Sequence, residues 1–212
     1  MKIEVKNVSK DFKGVTILHD INLTFESGKI YGLIGRNGTG KSVFLKMLCG
    51  FYKPTTGVIL YDGVDVIKES GFPKDTRALI ETPQFLPDLT GYENLELLAS
   101  IQKKIGKEEI IETLKKVNLL PEKDKKYGKY SLGMKQKLGL AQVFMEDPSI
   151  IILDEPLNGI EQKTADDLRT LLRNEKEKGK LIFIASHIKE DIEILADTIY
   201  VFDDGTIHKI EK

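Results

Sequence analysis

The chain has 212 residues, of which 41% are hydrophobic and 31% are charged, proportions typical of a soluble globular protein. With 32 Lys and Arg against 33 Asp and Glu, the net charge of −1 argues against a nucleic-acid binder that relies on bulk positive charge. The single cysteine, Cys49, excludes an internal disulfide and indicates a reducing compartment.

The first third of the chain is predicted to be mainly β-structure. Alternating apolar residues predict two or three strands, with turns near residues 13–14 and 27–28. The apolar run KIYGLIG (29–35) predicts a buried strand, and SVFLKMLCG (42–50) predicts a helix after a glycine-rich turn. GVILYDG (57–63) predicts another strand and turn.

The remainder is helical at first and then alternates strands with helices. Helices are predicted near 91–102 and 107–118, and a third helix starts near Ser131. The later elements are a strand at 149–153, an amphipathic helix at 161–179, a strand at 181–186, a short helix to about 196 and a hairpin at 198–210. This order predicts an α/β fold with a mainly parallel sheet, a β-rich start and a helical insertion.

One stretch, GRNGTGKS (35–42), fits G-x-x-x-x-G-K-[ST] and lies between a predicted strand and a predicted helix. Its glycines let backbone N–H groups point at phosphate oxygens, and the helix N-terminus favours anions. Lys41 supplies charge for the β- and γ-phosphates, and Ser42 offers a hydroxyl to Mg²⁺. The alternative is a chance glycine-rich turn. The predicted nucleotide-binding residues are Gly35, Arg36, Asn37, Gly38, Thr39, Gly40, Lys41, Ser42 and, through its backbone N–H, Val43.

Two further strands carry candidate catalytic residues at their C-terminal ends. The buried strand in IIILDEP (150–156) ends in Asp154 and Glu155, where side chains of a parallel sheet face a ligand crevice. Asp154 would hold Mg²⁺, and Glu155 would orient or deprotonate the attacking water. His187 follows the strand at 181–186 and could reach a γ-phosphate. The alternatives are two surface carboxylates at a strand end and a structural histidine.

These stretches, in this order, resemble the nucleotide-binding domain of ATP-binding cassette (ABC) transporters over essentially the whole chain. GRNGTGKS resembles the family's Walker A, IIILDE its Walker B and LNGIE (157–161) its D-loop, with His187 at the switch histidine. Phe12 occupies the place of the aromatic residue that stacks on adenine.

The resemblance implies a fold with a P-loop NTPase core and a mainly parallel sheet, an N-terminal antiparallel β subdomain and an inserted α-helical subdomain. It implies a single domain over residues 1–212. The β-rich and phosphate-loop core would cover about 1–88 and 147–212, and the helical insertion about 89–146.

The family's signature, LSGGQ, aligns with YSLGM (130–134), which keeps Ser131 and Gly133 but has Leu132 and Met134 in place of a glycine and the glutamine. In the family this helix start faces the nucleotide bound by a second subunit in a head-to-tail dimer. The resemblance therefore implies that Ser131 and Gly133 contact the nucleotide of a partner subunit.

A second departure concerns the family's Q-loop. Its glutamine position is occupied by Glu81 in IETPQF, and Gln84 lies three residues later. Either side chain could approach Mg²⁺ or the attacking water, but only Glu81 matches by alignment. This stretch, together with LTGYENL (89–95) and YSLGMKQ (130–136), resembles the ABC ATPases of bacteriocin, lantibiotic and bacitracin export or self-protection systems.

The function implied is Mg²⁺-dependent ATP hydrolysis that powers separate transmembrane permease subunits through ATP-driven dimerisation. The partners would be ATP, a second ABC ATPase subunit, identical or not, and the permease, with no nucleic acid. The chain lacks a run of about 18 apolar residues and a signal peptide, so we expect a cytoplasmic protein, peripheral on the inner face of the membrane. The alternatives are a soluble ABC-type ATPase acting on DNA or ribosomes and an unrelated P-loop kinase or GTPase.

Overall fold

Two β-sheets and the helices packed against them form the fold, seen here in a computed structural model that describes residues 1–69 and 71–210. The smaller sheet has three antiparallel strands in the order β2-β1-β4. Their bounds, numbered in chain order, are Lys2–Phe12 for β1, Val15–Glu26 for β2 and Thr56–Tyr61 for β4. The predicted N-terminal strands and their turns are therefore confirmed.

The larger sheet has six strands in the order β5-β6-β7-β3-β8-β9, and only the β8–β9 pair is antiparallel. The bounds are Lys29–Ile34 for β3, Thr76–Leu79 for β5, Ile150–Asp154 for β6, Leu181–Ser186 for β7, Thr198–Asp203 for β8 and Thr206–Ile210 for β9. The mainly parallel sheet predicted from the sequence is confirmed, and β5 is an edge strand that the sequence did not predict.

Helices cover the sheets and connect their strands. Their bounds are Lys41–Leu48 for α1, Val66–Glu69 for α2, Gly91–Gln102 for α3, Lys107–Lys116 for α4, Leu132–Phe144 for α5, Gln162–Glu177 for α6 and Lys189–Leu195 for α7, with 3₁₀ turns at Leu120–Glu122 and Tyr127–Lys129. The start of α3 is defined by a capping box, in which Thr90 and Glu93 satisfy each other's backbone N–H groups.

The core has two layers because side chains alternate across the central strands. On β7, Ile182 and Ile184 pack on the side of helices α3 to α6, whereas Leu181, Phe183 and Ala185 pack towards α1 and the smaller sheet. All five residues are essentially inaccessible to solvent, as expected for a parallel strand covered on both faces. Because β3, β6 and β7 are parallel and adjacent, their carboxyl ends meet at one edge.

None of the helices in the described part of the chain is both long and apolar enough to cross a bilayer.

Candidate nucleotide-binding site

The predicted site residues that follow β3, β6 and β7 lie around one crevice at this edge. The glycine-rich loop connects β3 to α1, Asp154 ends β6, and His187 comes directly after β7. Because β6 pairs with β7, and β7 with β3, their carboxyl ends are adjacent. This is the position at which open α/β sheets bind ligands.

The glycine-rich loop wraps around the ammonium group of Lys41. Lys41 Nζ donates to the carbonyl oxygens of Gly35 and Arg36, at 2.7 and 3.0 Å. The Thr39 hydroxyl also donates to the Arg36 carbonyl, at 2.9 Å, which tightens the turn. Gly40 caps α1 with φ of 98°, a conformation that favours glycine, and a Cβ there would approach Leu18 Cδ2 to 2.9 Å.

The exposure of this loop changes along its length. Arg36, Asn37 and Gly38 are exposed at its tip, Gly40 and Lys41 are buried, and Ser42 and Val43 open α1 half-buried. Burial lowers the pKa of Lys41, and the negative charges of Glu155 and Asp154 oppose that shift.

Ser42 and Asp154 connect the start of α1 to the end of β6. The Ser42 hydroxyl donates to Asp154 Oδ2 at 2.5 Å. Asp154 is buried, which raises the pKa of its carboxyl group, and the Ser42 hydrogen bond and Lys41 act in the opposite direction.

The oxygen atoms of Ser42 and Asp154 are a donor set that fits Mg²⁺. This ion takes hydroxyl and carboxylate oxygens, and it is held in nucleotide sites by one or two carboxylates together with substrate phosphates. Among the described residues, no three His, Cys, Asp or Glu side chains cluster as metal ligands. Phosphate and water oxygens could complete the coordination of a magnesium ion here.

Glu155 faces His187 rather than Ser42. Its φ of 51° turns the chain after β6, and its backbone N–H donates to the Ala185 carbonyl at 2.9 Å. Glu155 Oε1 accepts the His187 backbone N–H at 2.9 Å and lies 2.8 Å from His187 Nδ1. The Ser186 hydroxyl donates to Glu155 Oε2 at 3.2 Å. The two adjacent carboxylates thus have different partners.

Glu81 lines the same crevice as Asp154 and Glu155, whereas Gln84 is exposed and lies outside the set of residues that line it. Glu81 has a φ of 68°, and Lys46 Nζ on α1 lies 2.5 Å from Glu81 Oε1. Of the two Q-loop candidates, the structure brings Glu81 to the crevice.

Phe12 lies apart from the crevice carboxylates, at the end of β1. Its ring is about one-third exposed and meets Tyr52 edge to face, with centroids 5.1 Å apart. Lys10 Nζ lies 4.7 Å from the centroid of the Phe12 ring. Tyr52, which the sequence did not indicate as a site residue, therefore packs against Phe12.

Ser131 and Gly133 line a separate groove with the segment 159–161. Ser131 caps α5 by accepting the Met134 N–H at 3.3 Å. A Cβ on Gly133 would lie 3.1 Å from the Gly159 carbonyl oxygen, and one on Gly159 would lie 2.7 Å from Leu132 Cδ2. The start of α5 therefore packs closely on the loop after β6 in the same chain, a contact that the sequence did not reveal.

Gln136 is a further residue of the site that the sequence did not single out. It is buried, and its Nε2 donates to the backbone carbonyls of Glu155 and Pro156, at 3.3 and 3.2 Å. The available signal was a polar residue on the apolar face of an amphipathic helix, which requires a buried polar partner.

Comparisons with a family model and with individual known proteins agree on one family. Residues 18–158 match the family described as ABC transporter. The chain is 40% identical over 210 residues to the uncharacterized ABC transporter ATP-binding protein YybJ of Bacillus subtilis (strain 168), covering 99% of this chain and 96% of that protein. It is 40% identical over 213 residues to the bacitracin transport ATP-binding protein BcrA of Enterococcus faecalis, covering 99% and 68%. It is 34% identical over 208 residues to the lantibiotic transport ATP-binding protein SrtF of Streptococcus pyogenes, covering 97% and 88%.

Solved structures have the same fold. An ATP-binding subunit of an ABC transporter superposes with a TM-score of 0.88 at 26% identity, covering 99% of this chain and 90% of that one. The dimeric bacterial ABC transporter cassette MJ0796 superposes with a TM-score of 0.86 at 24% identity, covering 99% of both chains. The predicted α/β fold class is confirmed by these similarities.

Proposed function

Because the chain belongs to the ABC transporter family, we propose that it is the ATP-hydrolysing subunit of a transporter whose membrane-spanning subunits are separate chains. The observation that carries this proposal is the grouping of the Lys41 loop, the Ser42–Asp154 hydrogen bond and the Glu155–His187 contact around one crevice. Each of these features matches a separate requirement of phosphoryl transfer to water.

The glycine-rich loop binds the phosphates in this proposal. Lys41 and the backbone N–H groups at the start of α1 neutralise phosphate oxygens, with help from the helix dipole. The Phe12 ring provides the flat apolar face against which adenine would stack, and the Tyr52 ring supports it from the side, at an interplanar angle of 74°. Stacking of this kind accepts any purine base, and it is membership of the ABC transporter family that makes ATP the expected nucleotide.

Mg²⁺ bound with the nucleotide would neutralise charge on the β- and γ-phosphates, and Ser42 and Asp154 are the residues that would hold it. The hydrogen bond between them keeps both oxygens at the same end of the phosphate loop. Glu81 is retained as a tentative further ligand because it lines the same crevice.

Glu155 serves as the general base. Its carboxylate orients the attacking water and accepts a proton from it, which supports in-line attack on the γ-phosphate. His187 holds Glu155 Oε1 through both its backbone N–H and its ring, while Ser186 holds Oε2. Both oxygens of the base are thereby oriented, which lowers the entropy cost of reaching the reactive geometry.

A second ATPase subunit completes each site in this proposal. Ser131 and Gly133 lie at the N-terminus of α5, where free N–H groups and a small side chain suit contact with a phosphate. They would contact the nucleotide held by the partner, and the partner's corresponding residues would contact the nucleotide held here. The second subunit is either a copy of this chain or a related cassette.

We propose that the transported substrate is an antimicrobial peptide, and that transport serves either its export or immunity to it. The support comes from relatives named for bacitracin transport and lantibiotic transport. These relatives favour transport over the alternative of an ATPase acting on DNA or ribosomes. The proposal includes a cytoplasmic location, peripheral on the inner face of the membrane, next to the transmembrane permease.

The domain organisation is part of the same proposal. A single domain over residues 1–212 would have its core at about 1–88 and 147–212 and its helical insertion at about 89–146. The mutual packing of α3, α4 and α5 supports a helical unit within the insertion. Its contact with β5 gives that unit a mechanical link to the sheet.

The proposal is tested by purifying a tagged chain from detergent-solubilised membranes and identifying the proteins that accompany it. The expected result is co-purification of a multi-spanning membrane protein, together with Mg²⁺-dependent ATP hydrolysis that a Lys41→Ala variant lacks. Specific co-purification with ribosomes or DNA, without a membrane protein, would contradict the proposed partner.

A further inference from the structure

The crevice contains more negative than positive charge. Glu81, Asp154 and Glu155 all line it, and Lys41 is the ammonium group at its phosphate loop. A nucleoside triphosphate would bring about four further negative charges to this position. An unneutralised third carboxylate would therefore oppose nucleotide binding by Coulomb repulsion.

Glu81 is the carboxylate whose presence needs an explanation. Asp154 is hydrogen-bonded to Ser42 and Glu155 to His187, whereas the side chain of Glu81 is 68% exposed. Its backbone φ of 68° also lies in the left-handed region, which disfavours a residue with a Cβ by about 1 kcal/mol. Exposure lets water hydrate the carboxylate, but the backbone conformation does not favour a glutamate here.

Lys46 is the partner of Glu81. It lies one helical turn beyond Ser42 on α1, and its Nζ is 2.5 Å from Glu81 Oε1. The Tyr52 ring centroid is 5.7 Å from the same Nζ, which gives the ammonium a second neighbour. The side chain of Lys46 is only 23% exposed, so it is more confined than an ordinary surface lysine.

Both members of this pair also act on the metal-facing part of the crevice. Glu81 and Asp154 line the same crevice, and Lys46 lies on α1 one turn after Ser42, whose hydroxyl bonds to Asp154. Lys46, Glu81 and Asp154 are therefore close enough to influence one another electrostatically. A change in the charge of Lys46 is expected to alter the potential at the nucleotide site.

We propose that Lys46 is a positioning residue that pairs with and neutralises Glu81, so that the crevice can accept the phosphates of a nucleoside triphosphate. The two residues act as one neutral unit at a position where a lone carboxylate would repel the ligand. This inference rests on the proposed function, since it takes the crevice to be the ATP site.

The experiment measures nucleotide affinity rather than turnover. ATP binding is followed by titration calorimetry at low ionic strength, without and with Mg²⁺, for the wild type, Lys46→Gln, Glu81→Gln and the double variant. In the absence of Mg²⁺, where no metal ligand is lost, Lys46→Gln is expected to weaken ATP binding about three- to tenfold, and the double variant is expected to bind within about twofold of the wild type. AMP, which carries less charge, should lose less affinity.

Two further variants separate charge neutralisation from a structural effect. Lys46→Arg keeps the positive charge and is expected to bind ATP as the wild type does. Lys176→Gln removes a lysine whose side chain is equally exposed, at 23%, but which pairs with Asp197 instead, and it should leave ATP affinity unchanged. Thermal melting of each variant checks that it is folded.

Unchanged affinity in folded Lys46→Gln, or a loss that the double variant fails to restore, would overturn the inference while leaving the proposed function intact. A wild type that binds no ATP, or binds it as well when Lys41 is replaced by alanine, would instead overturn the proposed function and this inference with it.

Discussion

The imidazole of His187 lies against the carboxylate of Glu155, with Nδ1 2.8 Å from Oε1, and the His187 backbone N–H donates to the same oxygen at 2.9 Å. One oxygen of the proposed base is thus held by both the side chain and the main chain of the residue that follows β7. Loss of the ring would leave the backbone contact in place, so the carboxylate should be less well oriented rather than released.

The first prediction is therefore that His187→Ala lowers the rate of ATP hydrolysis by about 10- to 100-fold, the scale expected for misorientation of a catalytic group. ATP affinity should stay nearly unchanged, because the phosphate loop is untouched. Steady-state hydrolysis and nucleotide titration measure the two effects. His208→Ala, which alters an exposed histidine on β9, is the control and should hydrolyse ATP normally.

The second prediction concerns Gly133, which has ordinary helical geometry, so alanine is permitted by the backbone. An added Cβ would lie 3.1 Å from the Gly159 carbonyl, a contact that a shift of a few tenths of an ångström relieves. The better helix propensity of alanine, worth up to about 1 kcal/mol, offsets that cost. We expect Gly133→Ala to fold and bind ATP as a monomer, but to lose ATP-driven dimerisation measured by light scattering.

Gly139→Ala on the same helix is the matched comparison. A Cβ there would lie 2.9 Å from Leu79 Cδ1 and from two carbons of Pro83, so overpacking should destabilise the fold by about 1–3 kcal/mol. If Gly133→Ala also lost stability and monomeric ATP binding, the start of α5 would serve the fold rather than a partner subunit.

The third prediction concerns Gln136, the buried amide that links α5 to the loop after β6. Gln136→Leu should destabilise the protein by about 1–3 kcal/mol, because the Pro156 carbonyl loses its donor, while the Glu155 carbonyl keeps a hydrogen bond from Asn158. Hydrolysis should fall further than ATP affinity, since the loop carries Glu155. Denaturant unfolding measures the loss of stability, and kinetics measures the loss of hydrolysis. Gln142→Leu, on the same helix α5, is the control.

The fourth prediction is a pH-dependent loss of stability in Lys180→Met. Lys180 is buried and forms ion pairs with Glu175 and Asp147. Burial raises the pKa of Glu175, but hydrogen bonds from Lys178 and Lys180 outweigh it and bring the pKa below its ordinary value of 4.5. The pKa of Asp147 is lowered mainly by its hydrogen bond with Lys180.

These lowered pKa values contribute stability above the ordinary carboxyl pKa, and that contribution is lost as the pH falls through the folded values. At pH 7 the variant leaves a buried carboxylate with only Lys178, so we expect a loss of about 2–4 kcal/mol. The deficit should shrink below about pH 4, because protonation of Glu175 removes the buried charge. Urea unfolding at pH 7 and about pH 3 measures the deficit, and a deficit independent of pH would point to lost packing instead.

Most of the fold follows from local patterns in the sequence. The strand at 181–186 and the hairpin at 198–210 are predicted at the bounds observed, because continuous apolar residues and Asp204-Gly205 mark them. The strand β5 has no such pattern: it is four residues long, and only Ala78 and Leu79 are apolar. Its position comes from pairing with β6, which is distant in the chain.

Some features of the site could likewise be predicted from the sequence, and others could not. Lys41 and Asp154 belong to contiguous motifs, so the neighbouring residues in the sequence were enough to predict them as site residues. The Lys46–Glu81 pair joins residues 35 positions apart, and the two hydrogen bonds of Gln136 span 19 and 20 positions. Such contacts depend on how α1 and α5 are packed against the sheet, which no local pattern specifies.

ATP hydrolysis at this crevice with Glu155 as the base is tested by comparing the wild type with Glu155→Gln. In the variant, hydrolysis of Mg-ATP should fall about 10²- to 10⁴-fold, while ATP still binds and now holds the protein as a stable dimer. Hydrolysis by Glu155→Gln at the wild-type rate would show that Glu155 is not the base.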